Sequence, residues 1–401
     1  MISKVGGRAS VALLLATQLV ALLVAAQTAR AQTYTVLHEF TGGDDGSSPT
    51  GGVVRDANGN LYGTTSMGGA LGFGVLFKLD TAGKETVLHT FDGADGMWPA
   101  ANLILDSDGN LYGTTFDGGI AEGGHCRHGC GTVFKVDSSG KHSILYAFTG
   151  GTDGGNPGPA LVRDAAGNFY GTTYRGGDLS CDSYLPGCGV VFKLDKDGKE
   201  TVVHAFAFTD GSDPYGSLVR DTAGNLYGVT VDGGPSNEGL VFKLDPSGTE
   251  TILYSFSGKA DGGMPSGGFV GDAARNLYGT TSYGGDLSCN TYGCGVIFKL
   301  DKSGKETVLY SFGGGINAYP GEILIRDSSG NLYGTTSQSN GEVYEFDNGG
   351  KFKSLYALGG GIGSEPTGLI MDSLGDFYGT TVYGGKKSCA DGCGVVFKLT
   401  P

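Results

Sequence analysis

Two histidines and two cysteines fall within six residues, His125-Cys126-Arg127-His128-Gly129-Cys130, the densest group of metal-ligating side chains in the chain. Imidazole nitrogens and thiolates are the donors of tetrahedral zinc sites, so this run could hold an ion. Six other cysteines point elsewhere. Cys181 stands near Cys188, Cys289 near Cys294 and Cys389 near Cys393, in the same kind of loop and with no histidine beside them. In an exported chain, even numbers of closely spaced cysteines read as disulfides, and Cys126 with Cys130 joins that pattern. By chain-entropy reasoning each small ring contributes ~2 kcal/mol at most, enough to pin a loop but not to hold a fold.

A second set is carboxylate. Asp45, Asp95, Asp153, Asp210 and Asp261 each precede a glycine, and their oxygens could serve calcium, the one cofactor the sequence offers. None of these loops shows the spaced ladder of acidic ligands of a strong calcium site, and Asp-Gly is also turn chemistry. Gly315-Ile316-Asn317 and Gly361-Ile362-Gly363 replace the motif in two copies, so five ions would be the ceiling. A third set is aromatic: Trp98, the only tryptophan, with Tyr184, Tyr215, Tyr292 and Tyr319, all in variable loops. Rigid rings there can stack on sugars or anchor a protein, or pack over their own loops.

Nothing in the chain reads as a hydrolase nucleophile, because a Gly-x-Ser-x-Gly elbow is absent. His38, His89 and His204 recur at one strand position and alternate there with Tyr146, Tyr254, Tyr310 and Tyr356. A histidine that swaps with tyrosine reads as packing rather than as a general base.

The elements that position these residues come from one phrase. Gly-Asn-Leu-Tyr-Gly-Thr-Thr occurs at Gly59 to Thr65 and Gly109 to Thr115 and recurs with small changes at Gly167, Gly224, Arg275, Gly330 and Gly375. Its tyrosines, Tyr62, Tyr112, Tyr170, Tyr227, Tyr278, Tyr333 and Tyr378, stand 45 to 58 residues apart. Such a period, built of short strand-like runs, predicts a propeller. Within one unit, Val53-Val54-Arg55, Leu61 to Thr65, Val75 to Leu79 and Thr86 to Phe91 read as four antiparallel strands. Asp56-Ala57-Asn58-Gly59 and Asp80-Thr81-Ala82-Gly83 supply tight turns. These short turns share one edge of the blade, so the variable loops share the other.

Tyr34 to Phe40 matches a fourth strand but precedes any first strand, and the chain stops on a third strand, Val395 to Leu399. The expected fold is therefore all-β, one seven-bladed propeller over residues 32–401, closed when the N-terminal strand completes the last blade. Residues 1–31 read as a signal peptide, with Lys4 and Arg8, an apolar run from Val11 to Ala26, and Ala29-Arg30-Ala31 as the cleavage site. That run is short for a membrane span, so a secreted or periplasmic monomer is expected. The formal charge of −14 excludes nucleic acid as a partner.

Asp-x-x-Gly-Asn-Leu-Tyr-Gly-Thr-Thr, then Gly-Gly, Val-Phe-Lys-Leu-Asp and Leu-Tyr-Ser-Phe, resembles the repeat of the GloVer-type tandem-repeat proteins over Thr33 to Leu399. The resemblance implies an exported bacterial chain whose array is followed by one of several anchors. Here only Thr400 and Pro401 follow, so a freely released protein is expected. The resemblance implies no activity and no catalytic residues. The sequence is thus read as a binding module rather than an enzyme, its ligand face on the long-loop rim and its partner a polysaccharide or an extracellular protein. The alternative is a divalent-metal-dependent propeller enzyme of lyase or lactonase type, by fold analogy.

Overall fold

The computed structural model describes residues 32–100, 102–119, 126–181, 186–314, 318–321, 323–338, 340–359 and 361–401. The signal-peptide reading, Tyr184 and His125 therefore lie outside the described residues. Seven antiparallel sheets follow one another along the chain. Blade 1 runs through Val54–Arg55, Leu61–Thr65, Val75–Leu79 and Glu85–Thr90, and blades 2 to 6 repeat that order. Blade 3 adds a short strand, Gly155–Pro157. Blade 7 consists of Ser364–Met371, Phe377–Tyr383 and Val395–Thr400, with Thr33–Glu39 as its outer strand. Thr33 pairs Thr400 and Glu39 pairs Val395, so the ring closes as expected. No helix among the described residues is long and apolar enough to cross a membrane.

The recurring phrase is explained residue by residue. Asp56 Oδ1 accepts the backbone N–H groups of Asn58 and Asn60 at 2.9 and 2.8 Å, while Oδ2 accepts from Asn60 Nδ2 at 2.7 Å and from the Tyr62 hydroxyl at 3.1 Å. Gly59 closes that turn at φ 90°, a conformation costly for side-chain-bearing residues. Gly63 is required by close approach, since a Cβ there would stand 2.7 Å from the Phe77 ring. Thr65 Oγ1 donates to the Met67 carbonyl and accepts from the Val75 N–H, stitching strand two to strand three.

Blades meet through apolar seams. The phenylalanine that follows six of the seven outer strands, Leu358 taking its place in blade 6, packs edge-on against the strand-three aromatic of the next blade, as in Phe40 on Phe77, Phe91 on Phe134 and Phe148 on Phe192, with centroids 5.0 to 5.3 Å apart. These rings are fully buried. Above them an arginine from one blade covers the phrase tyrosine of its neighbour, as Arg163 does over Tyr112 at 5.2 Å. The mid-strand lysines do the same within a blade, Lys78 lying 5.7 Å from the Tyr62 centroid.

Candidate metal centre

The outer strands carry more than packing residues. In blade 1, His89 lies two residues before the buried Phe91 and stands edge-on to it. The chain then leaves the strand through a tight loop in which Asp92 Oδ1 accepts the N–H of Ala94 and of Asp95, and Asp95 Oδ1 accepts the N–H of Asp92. This loop aims the other Asp95 oxygen back at the strand, 2.6 Å from His89 Nε2. The outer strand of blade 2 begins at His142, whose ring stacks on His89 at 4.0 Å and 6° and puts Nδ1 3.8 Å from the same oxygen. Two imidazoles and a carboxylate from three separate elements thus converge, with ligand atoms within 4.8 Å of one another. Their side chains are 11 to 19% exposed, open enough for a small ligand to reach.

Electrostatics suit a cation. Burial raises the Asp95 carboxyl, but the hydrogen bonds from His89 and the Asp92 N–H outweigh it and hold the group below its ordinary value. Burial, with His89 alongside, pushes His142 down to about 4, so its imidazole is neutral at physiological pH, the form that binds metals.

A second cluster has the same plan two blades further round the ring. His204 on the outer strand of blade 3 lies 3.4 Å from Asp210 of the following loop, and Glu250 opens the outer strand of blade 4. Their ligand atoms also lie within 4.8 Å of one another. Burial pushes Glu250 up to about 7 against the pull of His204, and Asp210 adds to the rise. Related seams hold Asp45 with His38 and Glu85, Asp153 with Tyr146 and Glu200, and Asp261 with Tyr254 and Glu306.

Family models for the Gloeobacter/Verrucomicrobia repeat match residues 24–126, 119–291 and 287–401. The chain belongs to that repeat family. No curated protein matches it in sequence. Among solved structures it is similar to a putative 6-phosphogluconolactonase from Bacteroides uniformis, with 15% identity, 85% of this chain and 98% of that one covered, and a TM-score of 0.53. A gluconolactonase from Xanthomonas campestris has 15% identity, coverages of 77% and 87%, and a TM-score of 0.44. A putative gluconolactonase has 10% identity, 92% of each chain covered, and a TM-score of 0.44. At such identities the likeness is one of fold.

One sequence expectation is corrected here. The chain was expected not to be an enzyme because its strand histidines read as packing. His89, His142 and His204 instead stand beside loop carboxylates, in two clusters with the donor set of a divalent-metal site. Asp95 and Asp210, candidates from the loop motif, belong to those clusters, whereas His142 and Glu250 were missed. A signal existed: Glu85, Glu200, Glu250 and Glu306 occupy one repeat position, and His142 breaks that column. In the sulfur-rich run Cys126 and Cys130 form the disulfide that the sequence leads one to expect, and His128 is exposed. The other three expected disulfides are also present.

The aromatic candidates separate. Tyr215 and Tyr319 come together on a cavity of about 370 Å³ with Thr50, Asn102, Ser266 and Glu365. Tyr319 also accepts a 2.7 Å hydrogen bond from Asn290 Nδ2. Trp98 is 38% exposed and Tyr292 68%, and neither lines that cavity.

Proposed function

We propose that the protein is a propeller enzyme that hydrolyses a compact oxygen ester, a lactone being the first class to try, with a divalent ion held by His89, Asp95 and His142. The observation that carries this reading is the convergence of two imidazoles, that of His142 neutral, and one ionised carboxylate on a mostly buried point between blades 1 and 2. A borderline ion such as zinc or manganese suits imidazole donors better than calcium does. Such an ion would polarise an ester carbonyl and acidify a water molecule. The protein's own part is to hold three donors from three elements, with the His89–His142 stack fixing both rings. The fold shared with a putative 6-phosphogluconolactonase is what puts lactones ahead of other esters.

The test is lactone and ester hydrolysis by the purified protein, measured with added zinc or manganese and after chelation, in wild type and His142→Phe. This substitution removes a donor and installs the residue found at the same repeat position in blade 6, Phe352, so the fold has a precedent for it. Metal-dependent hydrolysis that disappears in the variant supports the assignment. Equal activity in the two proteins, or none in a metal-loaded wild type over the whole panel, refutes it.

A second reading is favoured by the cavity shared by Tyr215 and Tyr319. Its hydroxyls and paired tyrosines suit a polyhydroxy ligand such as a polysaccharide end. Binding on a glycan array that is lost in Tyr319→Ala would locate it there.

A further inference from the structure

The seven seams between outer strands form an internal series, each defined by a residue late in one outer strand, a loop residue, and the opening residue of the next outer strand. Where the loop aspartate is missing, both flanking positions are aromatic. Tyr310 stacks on Phe352 at 4.5 Å and 9°, and Tyr356 stacks on Tyr34 at 4.6 Å and 6°. Where the aspartate is present, the opening residue is never aromatic but Glu85, His142, Glu200, Glu250 or Glu306. A seam is thus filled either by a ring pair or by a polar group of like charges that needs a counter-charge.

At the seam of blades 3 and 4 that need is plainest. His204 Nε2 and Glu250 Oε1 are both shut off from solvent without a hydrogen bond, as are His38 Nε2 and Glu85 Oε1 at the seam of blades 7 and 1, but of these two seams the ligand atoms converge within 4.8 Å only at that of blades 3 and 4. At the seams of Asp153 and Asp261 a tyrosine hydroxyl donates to the loop aspartate, at 3.0 and 2.9 Å. His204 stands where that tyrosine would be, 3.4 Å from Asp210, with its nitrogen unused. Among the described residues no lysine or arginine pairs with Asp210 or Glu250. One imidazole and two carboxylates, within 4.8 Å of one another and with two buried atoms unpartnered, are the donors of a borderline divalent ion.

We infer that His204, Asp210 and Glu250 form a second metal site, which takes zinc or manganese and cross-links the outer strands of blades 3 and 4. This site is distinct from the His89 cluster and serves stability rather than hydrolysis, because its donor atoms His204 Nε2 and Glu250 Oε1 are shut off from solvent and so from a substrate.

The test is metal content and thermal unfolding of the whole protein titrated with zinc chloride or manganese chloride, for wild type, Glu250→Gln and His204→Tyr. Wild type is expected to bind two ions, and saturation to raise Tm by roughly 3–5 °C. Each variant is expected to bind one ion fewer and to lose part of that rise, while keeping any hydrolysis that depends on His142. His204→Tyr copies two natural seams, so its metal-free Tm is expected to match wild type and to show that the loss is not misfolding. Variants that bind as many ions as wild type would overturn the site. A loss of hydrolysis in Glu250→Gln with metal content unchanged would do so as well. Failure of His142→Phe to alter activity would leave the second site standing, because its readout is stoichiometry at a different seam.

Discussion

Blade 6 carries a buried acid at a strand position where the other blades have none, and removing it should stabilise the protein in a pH-dependent way. Glu342 is fully buried, and neither carboxyl oxygen has a hydrogen-bond partner. Its counterparts in the other blades are Val75, Thr132, Val190, Leu240, Val296 and Val395, none of them charged. Burial raises the Glu342 carboxyl above its ordinary 4.5 against the pull of the nearby Ser354 hydroxyl, and the groups facing it, Ser354, Tyr310 and Tyr344, offer no positive charge. A buried protonated carboxyl without a partner costs about 1–3 kcal/mol, so Glu342→Val should gain that much at pH 5. Because the folded-state value is raised, its contribution is fully present below 4.5 and is lost as pH rises through the folded value. Wild type should therefore lose up to ~1.4 kcal/mol per pH unit over that window, and the variant should not. Urea unfolding of both proteins at pH 5 and pH 7.5 gives the comparison. The reasoning fails if the variant is the less stable at both values, or if the gap between the two proteins does not widen with pH.

Gly171 tests the close approach inside a blade. A Cβ there would stand 2.6 Å from the Phe192 ring and 2.9 Å from Leu161, so Gly171→Ala should cost about 1–3 kcal/mol in urea unfolding, and Phe192→Leu in the same chain should return part of it. The turn aspartates set the acid limit. Burial raises Asp56, Asp106, Asp164, Asp221, Asp272 and Asp327, but hydrogen bonds from the following asparagine and tyrosine leave all six below their ordinary value. Depressed acids give stability that is present above 3.8 and is lost as pH falls through the folded values. Circular dichroism on acid titration should show unfolding below about pH 4, shifted to higher pH by ionic or hydrogen-bonding losses such as Tyr112→Phe. A chain that keeps its near-ultraviolet signal at pH 2 would count against this account.

The blade plan was legible because each residue of the phrase does one local job. The aspartate caps a turn, its asparagine and tyrosine bind that aspartate, the glycine admits a phenylalanine, and the threonine ties two strands. These contacts reach at most into the next strand, so a repeat read one copy at a time contains them. Ring closure was legible for the same reason, from a fourth strand found before any first. The seam sites were not, because their donors come from two blades and become one site only when copies are set side by side in space. His89 and His142 are 53 residues apart, and the loop between them includes a whole blade's inner strands. The tyrosines alternating with His89 pointed to packing, and packing is half of its role, since it does rest on Phe91.

Near-symmetry makes the departures from it the informative residues. Any side chain present in all seven copies is accounted for by turn, strand or core, which leaves few positions free to differ. Tyr344 and Glu342 depart inside one blade, where a hydroxyl and a carboxyl are buried unpaired, and the consequence is a stability deficit. His142 departs at a seam that is partly open, beside a carboxylate already held by another histidine, and the consequence is a donor set. The Tyr310–Phe352 and Tyr356–Tyr34 pairs depart together with the loss of the loop aspartate, so an acid and its facing residue have changed as a unit. That coupling is what a shared ligand or a shared charge imposes, since rings packing independently would leave the aspartate free to combine with an aromatic residue opening the next outer strand, a combination that none of the five aspartate seams has. The outer seams, rather than the recurring phrase, are therefore where this propeller differs from blade to blade in chemistry.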